Sequence, residues 1–174
     1  MSLNHGFIRE KLEIKILILF ILRRLPKPIN IDVLTDLTMC DDGISYFDFR
    51  ECVEELIKTK HIKVKDGLYS ITNKGEHNGS VTENSLPFSI RLSAENSASA
   101  IRTAQMRDAM INTHHAVKPD GSYSVTMSLS DGVGDILKIE LYASNEKQAK
   151  DLEKGFRKKA ELVYNNIIES ILHN

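Results

Sequence analysis

Cysteines and long apolar runs are scarce in this chain. Two cysteines among 174 residues are too few for a disulfide scaffold. The longest apolar run, Ile16 to Leu22, has seven residues, far fewer than the roughly 20 that cross a bilayer. No small-residue cleavage site follows an apolar N-terminal stretch, so we expect no secretory signal. These absences predict a cytoplasmic protein with reduced thiols and no membrane partner.

A large excess of one charge is also missing, because 23 Lys and Arg residues balance 24 Asp and Glu residues, for a formal net charge of -1. This balance argues against a generally basic protein that coats nucleic acid, although it allows a local basic patch. The hydrophobic fraction of 41% and the charged fraction of 27% are typical of globular proteins and exclude wholesale disorder. The length fits one domain or two small ones.

Three helices are predicted in the first third of the chain. Residues 7–25 contain no Gly or Pro and are rich in Leu and Ile, which predicts a long, mostly buried helix that ends before Pro26. Asn30 is suited to capping a short second helix over 31–38. Ser45, with Asp48 three residues later, is close to a capping box for a third helix over 46–59.

A β-hairpin follows the third helix. Residues 61–65 alternate between apolar and lysine side chains, and a return strand is predicted over 68–72. The Asp66-Gly67 pair between them is a strong signal for a two-residue turn. Three helices and then a hairpin is the order that a winged helix-turn-helix requires.

The second half has the pattern of a small α/β domain. A helix-like segment of small residues at 87–112 precedes two alternating segments at 122–130 and 135–143, which predict antiparallel strands, and residues 114–118 offer a third strand. A long C-terminal helix follows, capped by Asn145 with Gln148. The inward side chains of the strand at 135–143 are expected to be Leu137, Ile139 and Leu141.

The predicted fold class is therefore α+β, with an N-terminal winged helix-turn-helix followed by a small α/β domain. Residues 1–75 form the winged helix in this interpretation. Residues 76–86 are polar and serve as a linker. Residues 87–174 form a C-terminal domain for dimerisation or for sensing a signal.

The final helix has more apolar positions than one contact face needs. Beside its main stripe, further apolar residues lie at Leu162, Tyr164, Ile168 and Leu172. Such a second stripe often needs a partner surface, and the small residues Ala94 and Ala98 of the preceding helix would allow close approach in the same way. We expect a homodimer, because symmetric pairs are the commonest assemblies of soluble proteins.

The charges of the third helix are an objection to DNA binding. Its expected outer face carries four acids and two bases, a balance of -2: Asp48, Glu51, Glu54 and Glu55 against Arg50 and Lys58. Phosphate contacts supply most of the nonspecific affinity for DNA, so an acidic face is unfavourable. The hairpin is basic, with Lys60, Lys63 and Lys65, although lysines are also common on a merely solvated strand edge.

Metal binding and catalysis have weaker support. The candidate ligands Cys40, Cys52, His61, His114 and His115 lack the short spacings of structural zinc sites. The chain contains no G-x-S-x-G, no P-loop and no H-E-x-x-H motif. We expect no metal, no cofactor and no catalytic residues, and we interpret the glycines of Gly132-Val133-Gly134 as a hairpin turn.

The chain resembles a bacterial family catalogued as a domain of unknown function, whose members are described as candidate transcriptional regulators of the winged-helix class. The resemblance covers almost the whole chain. Its first half rests on ILILFILRRLPKPINIDVLTDL, ISYFDFRECVEELIKTKHI and GLYSITNKG, the last of which is also similar to the wing ending of MarR- and PadR-type regulators. Its second half rests on YSVTMSLSDG, ILKIELYASNEKQAK and FRKKAELVYNNIIESIL.

The resemblance implies a DNA-binding transcriptional regulator. By analogy with winged-helix regulators, the residues expected at the groove are Ser45, Tyr46, Phe47 and Arg50, and those expected on the wing are Lys63 and Lys65. The implied partner is DNA, and the identity of any small-molecule effector is left open. The alternative is a winged-helix adaptor that binds other proteins and not DNA.

Overall fold

The computed structural model of the protein describes residue 8 and residues 10–172. The described chain forms two compact units, and it passes from the first unit to the second between Gln105 and Met106. It contains six α-helices and two three-stranded antiparallel sheets, which confirms the expected mixture of helices and antiparallel strands with a long C-terminal helix. None of the helices in these residues is long and apolar enough to cross a membrane.

The first unit contains four helices, the start of a fifth and one sheet. In chain order its elements are α1 (Lys11–Arg23), β1 (Ile29–Asn30), α2 (Ile31–Thr38), α3 (Tyr46–Lys58), β2 (Ile62–Lys65), β3 (Leu68–Ile71), α4 (Asn73–Thr82), a 3-10 turn (Glu83–Ser85) and α5 (Phe88–Met110). The strands are ordered β1-β3-β2, so that β3 lies in the middle.

Helix α1 is the centre of this unit. It packs against α2, α3 and α4, and it is apolar on nearly all sides, as expected for a helix that other elements surround. It begins after Glu10, whose side chain forms a capping box with Glu13. Residues 7 and 9 of the predicted segment lie outside the described part of the chain.

The predicted caps and the predicted turn are confirmed. The Asn30 side chain accepts a hydrogen bond from the backbone N–H of Val33 at 2.9 Å, and α2 begins there. Between β2 and β3, Asp66 and Gly67 have φ angles of 52° and 75°. Positive φ at both central residues belongs to the turn whose twist matches that of a hairpin.

The segment predicted as a linker, 76–86, differs from that expectation. Most of it lies in α4 and the 3-10 turn, and α4 packs against α1. The reason is that two glycines of α4 allow close packing: Gly79 within this segment and Gly75 just before it are buried, and a Cβ atom on Gly75 would lie 2.1 Å from the carbonyl oxygen of His61. Glycines that indicate flexibility in a sequence can instead mark a tight contact.

The second unit consists of the end of α5, one sheet and one long helix. Its remaining elements are β4 (Ile111–Val117), β5 (Tyr123–Ser130), β6 (Asp135–Ala143) and α6 (Glu146–Leu172). The strands follow each other in the sheet in the order β4-β5-β6. Helix α6 begins as predicted, with the Asn145 side chain accepting from the N–H of Gln148 at 2.9 Å.

The core of the second unit lies between α6 and one face of the sheet. Val125, Met127 and Leu129 of β5 are buried there, as their alternation predicts. Leu137 and Ile139 of β6 pack at its margin. Leu141 is on the same face, as expected, because it lies in register with Val125. However, 42% of its surface is exposed, because α6 lies mainly over β4 and β5 and leaves part of β6 uncovered.

Candidate nucleic-acid interface

Helix α3 has one buried face and one exposed face. Its buried residues are Phe49, Cys52, Val53 and Leu56. On the opposite side the helix presents Tyr46, Phe47, Arg50, Glu54 and Lys58, of which only Arg50 is partly covered. This face carries two cations and one carboxylate.

The start of α3 combines a capped backbone with two exposed aromatic rings. The Ser45 hydroxyl accepts from the N–H of Asp48 at 3.1 Å and donates to the Asp48 carboxylate at 2.6 Å, so this side chain is occupied by the helix cap. Tyr46 and Phe47 are 58% and 75% exposed. Large aromatic rings with this exposure are the kind of surface that meets a partner.

The acids along one flank of α3 pair with lysines of α1. Lys11 Nζ lies 2.7 Å from a carboxylate oxygen of Glu51 and 3.7 Å from one of Asp48. Lys15 pairs with Glu55 in the same way, one helical turn further along. The hydrogen bond that Lys11 donates to Glu51 raises the pKa of Lys11, and the hydrogen bond that Lys15 donates to Glu55 lowers the pKa of Glu55.

These ion pairs change the charge balance that the sequence indicates. Glu51 and Glu55 were expected on the outer face of the helix; their side chains are 39% and 41% exposed, and each reaches a lysine of α1. With the two lysines of α1 included, the four acids of α3 are equalled in number by four cations, Lys11, Lys15, Arg50 and Lys58. The charge of -2 is therefore compensated locally.

The sequence contains a signal for these pairs. Lys11 and Lys15 are four residues apart, and so are Glu51 and Glu55. Side chains four apart lie on the same side of a helix. Two lysines on one helix can therefore each pair with one of two glutamates on a helix packed against it. Using this signal requires knowing that α1 and α3 are neighbours, which the spacing within either helix does not reveal.

The lysines of the hairpin form the second part of the interface. Lys63 and Lys65 are both exposed, and two residues apart on β2 they point to the same face of the strand. Their partners across the ladder are Ser70 and Leu68 of β3. These four residues line an open cavity of about 410 Å³ together with Pro28, Asp66 and Ile71. The cavity combines two ammonium groups with the hydroxyl of Ser70, which sequence reasoning did not assign to the site.

The neighbouring lysines differ from this pair. Lys74 lies at the start of α4, and its ammonium group donates to the carbonyl oxygen of Thr59 at 2.8 Å. Lys60 is exposed and has a positive φ of 61° at the end of α3. Lys63 and Lys65 are therefore the lysines that the hairpin itself presents together.

The candidate metal ligands are dispersed. Cys52 is fully buried in the core of the first unit, whereas the ring nitrogens of His61 lie 2.8 Å from the Thr59 hydroxyl and 2.7 Å from the Asn78 amide. His115 lies on β4 in the second unit, with Nδ1 at 3.2 Å from a Glu153 oxygen. Within the described residues, no three His, Cys, Asp or Glu side chains are grouped so that they could hold a metal ion.

Thiol reagents are expected to modify the native protein slowly. Burial raises the pKa of Cys52 to about 11, and it raises the pKa of Cys40 as well. Only the thiolate reacts, so at about pH 7 Cys52 should react at least a hundredfold more slowly, by order of magnitude, than a free thiol with a pKa of roughly 8.5. A dithionitrobenzoate time course measures this, with urea-unfolded protein as the control, and equal rates in both samples would contradict the burial.

A family model described as a domain of unknown function, DUF4364, matches residues 14–171. The chain belongs to this family. No curated protein and no solved structure matches the chain.

Proposed function

We propose that residues 11–71 form a winged helix and that the protein is a DNA-binding transcriptional regulator. The order of the elements supports this: α1, a short β1, α2 and α3 are followed by the β2–β3 hairpin, and β1 joins the hairpin to complete the sheet. In winged helices the third helix lies in the major groove and the hairpin lies against the backbone.

The observation that carries the proposal is the pairing of the acids of α3 with Lys11 and Lys15. The pairs neutralise Glu51 and Glu55, whose side chains remain 39% and 41% exposed, and the outer face beside them carries Arg50 and Lys58 against Glu54. A surface that binds phosphates must not carry a net negative charge, because cations that neutralise phosphates and release counterions supply much of the affinity.

The proposed contacts divide into two groups. Phe47 and Arg50 at the start of α3 would reach base edges, as residues at the N-terminal end of a recognition helix do. Lys63 and Lys65 would contact phosphates, with Ser70 as a further hydrogen-bond donor in the same cavity. Tyr46 is exposed beside Phe47, whereas Ser45 would act by starting the helix, because its hydroxyl is occupied by Asp48.

A salt titration of binding tests the proposal. Fluorescence anisotropy with a labelled duplex of mixed sequence should show affinity at low salt that falls as salt rises. With the two hairpin lysines as phosphate contacts, the slope of log K against log salt should be roughly -2 or steeper. Folded protein that shows no affinity even at about 50 mM salt would contradict DNA binding.

The compensating role of α1 gives a separate prediction. Replacing Lys11 and Lys15 with alanine should weaken duplex binding about tenfold, because Glu51 and Glu55 then repel the phosphates. Stability should change little, since these are exposed ion pairs. The matched control is Lys147→Ala with Lys150→Ala on α6, which removes the same charge. An equal loss of affinity in the control would show that only the total charge matters.

The adaptor function has one observation of its own, the exposure of Phe47 at 75% beside Tyr46. An apolar aromatic pair on a helix end suits a protein surface as well as a base edge. If the folded protein binds no duplex at low salt, this second function is favoured. Both functions assign no catalytic residue and no cofactor to the chain.

A further inference from the structure

The second sheet ends in a long strand with an unpaired side. Strand β6 spans Asp135–Ala143, nine residues, and among the residues that the structure describes its only strand neighbour is β5. Six of its nine residues are exposed. A long edge strand offers free backbone N–H and C=O groups, and proteins usually protect such an edge or use it for pairing.

The side chains of β6 are unusually apolar for an exposed edge. Ile136 is 43% exposed, Leu141 42% and Tyr142 62%. Leu141 lies in register with Val125, which is fully buried, so it occupies the face of the sheet that α6 covers further inward. The helix leaves Leu141 partly uncovered, and a neighbouring strand would cover more of it.

The sequence of β6 is complementary to itself in the antiparallel direction. When DILKIELYA is aligned with a reversed copy about Ile139, Lys138 lies opposite Glu140, and each strand supplies one of each. In the same alignment Leu137 lies opposite Leu141, and Ile136 lies opposite Tyr142. Opposite charges and apolar pairs across two strands are the interactions that stabilise an antiparallel ladder.

We propose that the protein forms a two-fold symmetric homodimer in which β6 pairs antiparallel with β6 of a second copy, centred on Ile139. The two three-stranded sheets then become one sheet of six strands. The surface is isologous, as a two-fold axis requires, because each strand supplies both halves of every pair.

The other edge of the same sheet lacks this property. Aligning β4 with its own reverse about His114 places Thr113 opposite His115 and Asn112 opposite Ala116, with no pair of opposite fixed charges. The small face of α5 that was expected to take a partner is also used internally, since Ala94 and Ala98 are fully buried. The dimer is therefore assigned to β6 and not to α5.

Charge exchange at two positions tests the pairing. In the dimer, Lys138→Glu replaces both Lys–Glu pairs with pairs of two glutamates. Glu140→Lys replaces both with pairs of two lysines. Each single variant should raise the dimer dissociation constant about tenfold. The double variant, Lys138→Glu with Glu140→Lys, restores both pairs and should return the constant to within about threefold of the original.

Sedimentation equilibrium over a concentration series gives the constant, and circular dichroism melting shows that each variant is folded. Lys147→Glu on α6 is the control for the change in net charge, and it should leave the dimer unchanged. The proposal would be overturned if the unaltered protein is a monomer, or if the single variants leave the dimer dissociation constant unchanged. It would also be overturned if the double variant dimerises no more tightly than either single variant. None of these results depends on whether the protein binds DNA.

Discussion

Replacing Lys63 and Lys65 together with glutamate should lower the affinity for a duplex of mixed sequence by about a hundredfold at roughly 0.1 M salt. Two phosphate contacts contribute a factor of this size at that salt concentration, and reversing the charges adds repulsion. The slope of log K against log salt should become shallower by about two, since each lysine accounts for about one. Fluorescence anisotropy over a salt series measures both quantities.

The control for this variant must change the net charge equally. Lys154→Glu with Lys158→Glu alters two exposed lysines of α6 in the second unit and should leave most of the affinity intact. If both double variants lose affinity alike, the lysines of the hairpin have no special role and the total charge governs binding. If neither loses affinity, the hairpin does not contact the duplex.

The second large effect is expected for Gly75→Ala. The new Cβ atom would lie 2.1 Å from the carbonyl oxygen of His61, a backbone atom that cannot move without shifting the start of β2. Forcing extra atoms into close packing costs about 2–3 kcal/mol of the free energy of unfolding. Urea unfolding followed by circular dichroism measures the loss, as a lower midpoint at unchanged slope.

Gly79→Ala is the control in the same helix. Its Cβ would lie 2.7 Å from Cδ of Arg23, a side-chain atom and not a backbone atom, and alanine is the better helix former. We therefore expect a change in the free energy of unfolding within about 1 kcal/mol in either direction. A loss at position 79 as large as that at position 75 would show that α4 tolerates no added side chain, whatever its neighbour.

The close contact at position 75 also explains why GLYSITNKG ends in glycine. Thr72 caps α4 by accepting from the N–H of Gly75, and its hydroxyl donates to the carbonyl oxygens of Lys60 and His61. The end of the hairpin, the end of α3 and the start of α4 are thus held at one point. Sequence reasoning placed this point at a domain end, because the polar segment that follows it, 76–86, is typical of a linker.

Local interactions are what the sequence alone determined. The caps at Asn30, Ser45 and Asn145 act within three residues, and the Asp66-Gly67 turn needs only its own two φ angles. The alternation of β5 needs only the pleat of a strand. Such features follow from the residues nearby, so their positions could be predicted without knowledge of the neighbours.

Contacts between distant segments are what only the tertiary structure decided. The pairing of Glu51 with Lys11 and the tight fit of Gly75 against His61 join segments that no local pattern connects. The exposure of Leu141 depends on where α6 lies over the sheet. The charge of the candidate interface and the open edge of β6 follow from these placements, because a side chain's surroundings are set by the packing of whole elements.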